Sequence, residues 1–302
     1  MSSWQGKTRG GLLGYKIFVF LLRTSGLKAA YALLRFVAAY FVIFAPSATA
    51  NIYRYFREIH SYGRLKAIGS VYKNFYVFGQ TLIDKVAIMA GIKNSFTYTF
   101  EGESNLLRLN ELNQGGILIS AHLGNWEIAG FLLKRINMSI NIVMFEEEHE
   151  KIKEYLGKVT HANPIKVIPI KQDLSHIFQI NNALRNKEII CMHGDRFVAG
   201  SRIHSMPFMG KKAYFPLGPF TMAAKLKVPY TFVYALKERN NHYHLSATTL
   251  AVDQNVHYQD ILDQYVVSLE EKLKQYPLQW FNYYDFWSEN LKGGIYVQNG
   301  DE

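Results

Sequence analysis

The sequence predicts an α/β fold with a mostly parallel central sheet flanked by helices, preceded by an apolar helical membrane anchor. Two observations carry that prediction. From residue 115 onward, short apolar runs alternate with helix-length amphipathic stretches, the pattern of parallel strands joined by helical crossovers. The first quarter of the chain is both its most apolar and its most basic part. With 302 residues, 49% of them hydrophobic and 15% aromatic, the chain can bury a full core, and disorder is excluded for the bulk of it.

In chain order, the first 16 residues are polar and glycine-rich, unlike a cleaved signal peptide. Apolar runs follow at Ile17–Leu22 and Phe36–Ala45, before Pro46. Ala29 to Ala45 is 17 residues long with Arg35 inside it, at the short end of what spans a bilayer, so the reading is one shallow or re-entrant helical anchor. An ordinary buried helix pair is the alternative. Residues 1–75 hold eleven Lys or Arg and one acid, Glu58, whereas the remainder holds 23 of each sign, so the net charge of +10 lies in the first quarter. Cations among apolar and aromatic runs suit an anionic membrane surface. Nucleic acid is not the expected partner, because a phosphate-tracking surface needs no long apolar runs among its arginines. The expected division is a basic, apolar N-terminal helical segment, 1–75, and a single catalytic domain, 76–302.

Strands are predicted at 117–121, 140–145, 165–170 and 188–193, and helices at 125–135, 148–159 and 174–186. A loop of about 20 residues from Gly194 to Lys212 follows, long enough to expect a role in function. Next come a helix near 217–227, two strands (229–237 and 242–249) joined as a hairpin through Glu238-Arg-Asn-Asn241, an amphipathic helix over 257–275, and a short aromatic helix from Trp280 to Trp287. The single cysteine, Cys191, follows Ile189-Ile190 and reads as a packed thiol rather than a nucleophile.

The candidate chemistry begins at Ser120-Ala-His-Leu-Gly-Asn-Trp-Glu127. Five residues along one helix turn through about 140°, so His122 and Glu127 can meet only across a turn. With a strand ending at Ala121 and a helix beginning near Asn125, a carboxylate at 127 can fix the imidazole's tautomer and free its other nitrogen to take a proton. Spacing alone is weak: with ten histidines and 24 acidic residues about one chance match is expected. His149 and Glu154 supply one, inside a charged helix start with no turn between them. Context selects His122. Ligands of parallel sheets bind beyond the strands' carboxyl ends, and Gly194-Asp195-Arg196 follows another such end. There Arg196 is a donor suited to a phosphate or a developing oxyanion, with Asp195 orienting it, unless the two form a purely structural ion pair. Gly210 permits a tight turn, and Lys211 and Lys212 add positive charge.

These residues in this order resemble a known family. His122-Leu-Gly-Asn-Trp-Glu127, Gly194-Asp195-Arg196, Pro207-Phe-Met-Gly-Lys-Lys-Ala, Pro216-Leu-Gly-Pro, Ala223-Ala-Lys, Val228-Pro229 and the closing Pro277-Leu-Gln-Trp-Phe are similar to the bacterial lipid A late acyltransferases (lauroyl and myristoyl acyltransferases) of the lysophospholipid acyltransferase superfamily. The resemblance implies transfer of a fatty acyl chain from an acyl carrier protein or coenzyme A thioester to a hydroxyl of a membrane lipid, a lipid A precursor or lysophospholipid-like acceptor. It implies an enzyme at the inner membrane with its catalytic domain on the cytoplasmic face. His122 becomes the general base with Glu127 as its partner, and Asn125, Asp195, Arg196, Gly210 and Lys211 become substrate-contacting residues. Where the superfamily carries Phe-Pro-Glu-Gly, this chain has Phe215-Pro-Leu-Gly218 and lacks the acid. No Gly-x-Ser-x-Gly elbow, P-loop, dinucleotide fingerprint or zinc spacing occurs, so direct attack by the acceptor, without a metal or tightly bound cofactor, is expected. An inactive lipid-binding protein and a lipid hydrolase are the rival readings.

Overall fold

Leu12–Thr24 (α1), Gly26–Phe44 (α2) and Pro46–Arg54 (α3) open the chain in a computed structural model, which describes residues 12–92, 95–128, 139–145, 165–171, 173, 175–197, 200–253, 255–287 and 295–296. Where one anchor is expected, three helices form, broken at Gly26, which takes a positive φ of 78°, and at Pro46. α2 has 19 residues and is long and apolar enough to cross a membrane, yet only 17% of that stretch is buried. A core helix of a soluble protein would be covered; here Phe36, Tyr40, Ile43 and Phe44 stay exposed beside Leu13, Ile17 and Phe20 of α1. An uncovered apolar face at the chain's basic end favours association with a membrane.

A π-helical turn, Tyr55–Ile59, leads from α3 to the 26-residue α4, Arg64–Met89. The expected division after residue 75 falls inside α4, because this helix serves both sides. Ala67, Val71 and Phe75 enter the main core, while Ile83, Val86 and Ala87 pack with Val19, Leu22, Ala30 and Leu34 of α1 and α2.

The sheet is built from β1 (Thr97–Glu101), β2 (Gly116–Ser120), β3 (Ile140–Phe145), β4 (Ile165–Ile170), β5 (Ile189–His193), β8 (Tyr230–Lys237) and β9 (His242–Ala247), in the order β1-β9-β8-β2-β5-β3-β4. Every neighbouring pair is parallel except the β8–β9 hairpin. β2 is buried at all five positions, as an unbroken apolar run in a central parallel strand must be. Helix α5 (Glu103–Leu112) precedes β2, and α6 (Ser175–Arg185) precedes β5. Helix α7 (Gly218–Leu226) precedes β8, and α8 (Tyr258–Gln275) lays Ile261, Leu262, Tyr265, Val266, Leu269 and Leu273 on the main core. The predicted helix at 148–159, with His149 and Glu154, lies outside the described residues, as does most of that at 125–135.

Two expectations are corrected. The stretch read as a loop from Gly194 to Lys212 contains β6 (Arg202–Phe208), which pairs antiparallel with β7 (Lys211–Pro216) around Met209-Gly210; the short β10 (Ile295–Tyr296) joins β6. Residues 280–287 are not a helix: Trp280 forms a β-bridge with Leu123, and a 3-10 turn occupies Pro277–Gln279.

Candidate active site

β2 and β5 are direct neighbours, and their register pairs Ser120 with His193. The Gly194 N–H continues the ladder to the Ser120 carbonyl at 2.9 Å. His122 and Asp195 therefore both stand two residues beyond the last paired position. The His122 Nδ1–H donates to Asp195 Oδ1 at 2.8 Å, and the His122 backbone N–H donates to Oδ2 at 2.9 Å. Trp280 Nε1–H donates to the same Oδ2 at 3.1 Å. Asp195 is fully buried, whereas the His122 side chain keeps 25% exposure. Nε2 of His122 has no protein partner among the described residues.

This placement departs from the expected pairing. Glu127, in the first turn of the helix after Asn125, is turned toward α4 and forms an ion pair with Lys85. The position beside Nδ1 goes to Asp195 because strand register brings 122 and 195 together, while the turn at Gly124 carries 127 away. Gly124 has φ of 69°, and a Cβ there would lie 2.2 Å from the Ala235 carbonyl oxygen. Only glycine fits that turn without moving the sheet.

Asn125, expected to contact substrate, is buried as a brace. Its side chain donates to the Thr81 carbonyl (3.0 Å) and the Tyr243 hydroxyl (3.3 Å), and its N–H donates to the Ala235 carbonyl (2.7 Å). Tyr243 in turn donates to Asp84, which also receives Tyr31 O–H and Lys237 Nζ. The network joins α2, α4, β8, β9 and the active-site turn.

The 279–281 stretch closes the other side. The Gly124 N–H donates to the Gln279 carbonyl (2.9 Å) and the Phe281 N–H to the His122 carbonyl (3.0 Å). Arg196 donates to the Phe281 carbonyl through Nη2, while its buried Nε–H has no partner among the described residues. Gly210 and Lys211 lie in the β6–β7 hairpin, where Lys211 pairs with Glu58 at 2.5 Å.

Electrostatics keep the imidazole neutral and the carboxylate charged. Burial lowers the His122 pKa, the Arg196 charge lowers it further, and Asp195 opposes both. Burial pushes Asp195 up, but His122, its hydrogen bond and the Arg196 charge outweigh that and hold it far below the ordinary carboxylate range. His193, not singled out in the sequence, lies against His122 with tilted rings whose centroids are 4.3 Å apart; burial above all drives its pKa well below the usual value. Burial pushes the Cys191 thiol to about 12, so it is no nucleophile at neutral pH. The signal for His193 was its place at the end of the same strand; for Trp280 there was none, since its bond to Asp195 spans 85 residues.

His122, His193 and Asp195 place donor atoms within 4.8 Å of one another and could hold a metal ion. The Asp195 oxygens already accept three N–H groups, two from His122 and one from Trp280.

A neutral imidazole held by a buried carboxylate at the carboxyl edge of a parallel sheet is equipped for proton abstraction from a hydroxyl. The chain belongs to the bacterial lipid A biosynthesis acyltransferase family, whose sequence model matches residues 9–287, and it is accordingly an O-acyltransferase acting on a lipid acceptor. Among curated proteins no sequence match is found. The crystal structure of the 1-acyl-sn-glycerophosphate (LPA) acyltransferase, PlsC, from Thermotoga maritima is similar at 13% identity, over 82% of this chain and 97% of that chain, with a TM-score of 0.40, a likeness too loose to carry an argument.

Proposed function

We propose that this acyltransferase moves a fatty acyl chain from an acyl carrier protein or coenzyme A thioester to a hydroxyl of a membrane lipid, a lipid A precursor or lysophospholipid-like molecule, with His122 as general base. The observation that carries the reading is the His122–Asp195 couple, which leaves Nε2 free in a chain of this family. Nε2 takes the proton of the acceptor hydroxyl as its oxygen attacks the thioester carbonyl. The Nε–H of Arg196, without a partner among the described residues, is a donor available to the oxyanion that forms. Collapse breaks the carbon–sulfur bond, and the leaving thiolate takes the proton from the imidazolium. No step calls for a metal or a resident cofactor. The basic N-terminal segment and the uncovered face of α1 and α2 hold the site at an anionic membrane surface; cytosolic thioester donors place it on the cytoplasmic face of the inner membrane.

Mass spectrometry of purified protein incubated with an acyl thioester and a lipid alcohol tests the reading. An acceptor gaining one acyl group supports it. Free fatty acid as the sole product makes the protein a hydrolase, and an untouched thioester with every acceptor makes it a lipid-binding protein.

The choice of carboxylate is testable separately. Asp195→Asn lowers kcat by at least about a hundredfold, because an amide can leave the imidazole in the wrong tautomer, whereas Glu127→Gln costs less than about tenfold. The reverse ranking would give the role to Glu127, as the family resemblance implies.

The pH profile supplies a further expectation. The lowered pKa of His122 keeps the base form present below the ordinary imidazole value, so the acid limb of kcat/KM lies under about pH 6.5. Removing a neighbouring cation favours the imidazolium, so Arg196→Met moves that limb to higher pH. A limb unmoved by Arg196→Met would show that another group titrates.

A further inference from the structure

Three helices carry uncovered apolar stripes at the basic end of the chain. On α1, Leu13, Ile17 and Phe20 are exposed at intervals of four and three residues, and on α2 Phe36, Tyr40, Ile43 and Phe44 form a second stripe. α4 carries a third: Leu65, which is 87% exposed, and exposed Ile68 recur with half-buried Tyr72 and Tyr76 at helical spacing. Tyr72 stacks on Tyr76, and its hydroxyl donates to the Arg35 carbonyl of α2 at 3.4 Å, so this stripe runs along the side of α4 that meets α2. Single exposed apolar side chains are ordinary, but stripes on packed neighbouring helices make a surface.

The charges on these helices point to the partner. Lys16 and Arg23 of α1, Lys28 and Arg35 of α2, and Arg64, Lys66 and Lys73 of α4 are all exposed, whereas Asp84, the one acid of the three helices, is buried. Apolar stripes edged by cations and tyrosines fit the headgroup region of an anionic bilayer. By length and composition α2 could cross that bilayer, but its packing opposes a crossing. Antiparallel to α4, it stacks Phe41 on Phe75, sets Leu34 against Gly79 and sends the Tyr31 hydroxyl to Asp84, with Ala30, Leu34 and Ala38 buried. α4 is in turn tied through Asn74 to the Leu278 and Trp280 carbonyls, and through Asp84 to Lys237 and Tyr243 of the sheet. A spanning α2 would draw α4 and those polar groups toward the hydrocarbon, at the cost of burying charge in lipid. Lying in the membrane plane, it immerses only the exposed stripe.

We propose that α1, α2 and the first half of α4 form one monotopic seat for an anionic bilayer, with α2 in the plane of a single leaflet and Leu65 and Ile68 inserted with it. The seat rests on the membrane-surface reading of the acyltransferase and adds to it a third helix and an orientation.

Cysteine labelling of the full chain in inverted inner-membrane vesicles tests the orientation. With the one native thiol removed by Cys191→Ala, Thr24→Cys and Ser47→Cys bracket α2, and Asp263→Cys on α8 marks the catalytic domain; all three positions are exposed. A membrane-impermeant maleimide is expected to label the three to the same extent without detergent. Protection of either end of α2 until detergent is added, with Asp263→Cys labelled, overturns the proposal in favour of a crossing helix. Flotation of purified protein with preformed vesicles tests the surface. Binding to phosphatidylcholine vesicles that contain phosphatidylglycerol is expected to be at least about tenfold tighter than to phosphatidylcholine alone. Leu65→Asp combined with Ile68→Asp, both exposed in the first turns of α4, is expected to weaken that binding by about tenfold or more. Binding unchanged by the pair, or indifferent to phosphatidylglycerol, overturns the proposal. Self-association that the same pair abolishes, without flotation, gives the face to a second copy and also overturns it. Flotation with one end of α2 protected sinks the in-plane seat alone, whereas no flotation with either vesicle sinks the membrane-surface reading as well.

Discussion

Alanine at position 122 lowers turnover by roughly two to four orders of magnitude, the usual loss when a general base is removed. The fold should survive. The His122 side chain is 25% exposed, and its backbone N–H still donates to Asp195 when the ring is gone. Trp280 and the Arg196 charge also keep the buried carboxylate company, so loss of activity without loss of folded protein is the expected signature. His193 is the one residue that could blur it, with its ring 4.3 Å from that of His122. Its depressed pKa makes it a neutral neighbour, and His193→Phe, which keeps an aromatic ring against His122 and removes both nitrogens, is expected to retain activity within a few-fold. The measurement is acyl transfer by folded, detergent-purified variants. Near-normal turnover by His122→Ala would remove His122 from the chemistry, and a collapse in His193→Phe would move the base to His193.

The sequence revealed the fold where local pattern decides it, and hid the site where register decides it. Ile117-Leu-Ile119 and Ile189-Ile190 are apolar enough to announce buried strands, and Glu238-Arg-Asn-Asn241 announces the turn of the β8–β9 hairpin. The β6–β7 hairpin was disguised as a loop because β6 is half exposed, carries Pro207 and turns through Gly210. The aromatic spacing from Trp280 to Trp287 imitates a helix, but its rings pack on Tyr55, Phe208 and Phe215 and its backbone braces His122 instead. The place of His122 just beyond a strand's carboxyl end was legible in the sequence. Its partner was not, because spacing measures separation along the chain, and the contact with Asp195 spans 73 residues. That contact follows from β2 and β5 being neighbours in the sheet, an order no single strand's sequence records.

Asp84→Leu is expected to cost about 3–5 kcal/mol of folding stability, the penalty for stranding the other half of a buried ion pair. Asp84 is fully buried, and the Lys237 side chain that meets it is 7% exposed. Burial opposes the charge on both, raising the Asp84 pKa and lowering that of Lys237. The pair persists because the carboxylate is well supplied with donors: Asp84 accepts from Lys237, Tyr31 and Tyr243, and Lys237 also donates to the Tyr31 hydroxyl at 2.6 Å. Removing the carboxylate leaves an ammonium and two phenols without their acceptor in a dry site. It also frees Tyr243, which accepts from Asn125, so the turn that aims His122 loosens and activity falls alongside stability. The double variant Asp84→Leu with Lys237→Met removes both charges and should recover much of the lost stability while leaving activity low, because the brace on Asn125 is still missing. Denaturant unfolding in detergent, read beside acyl transfer on the same samples, separates the two effects. A double variant as active as the native protein would show that the network stabilises the fold without aiming the active-site turn.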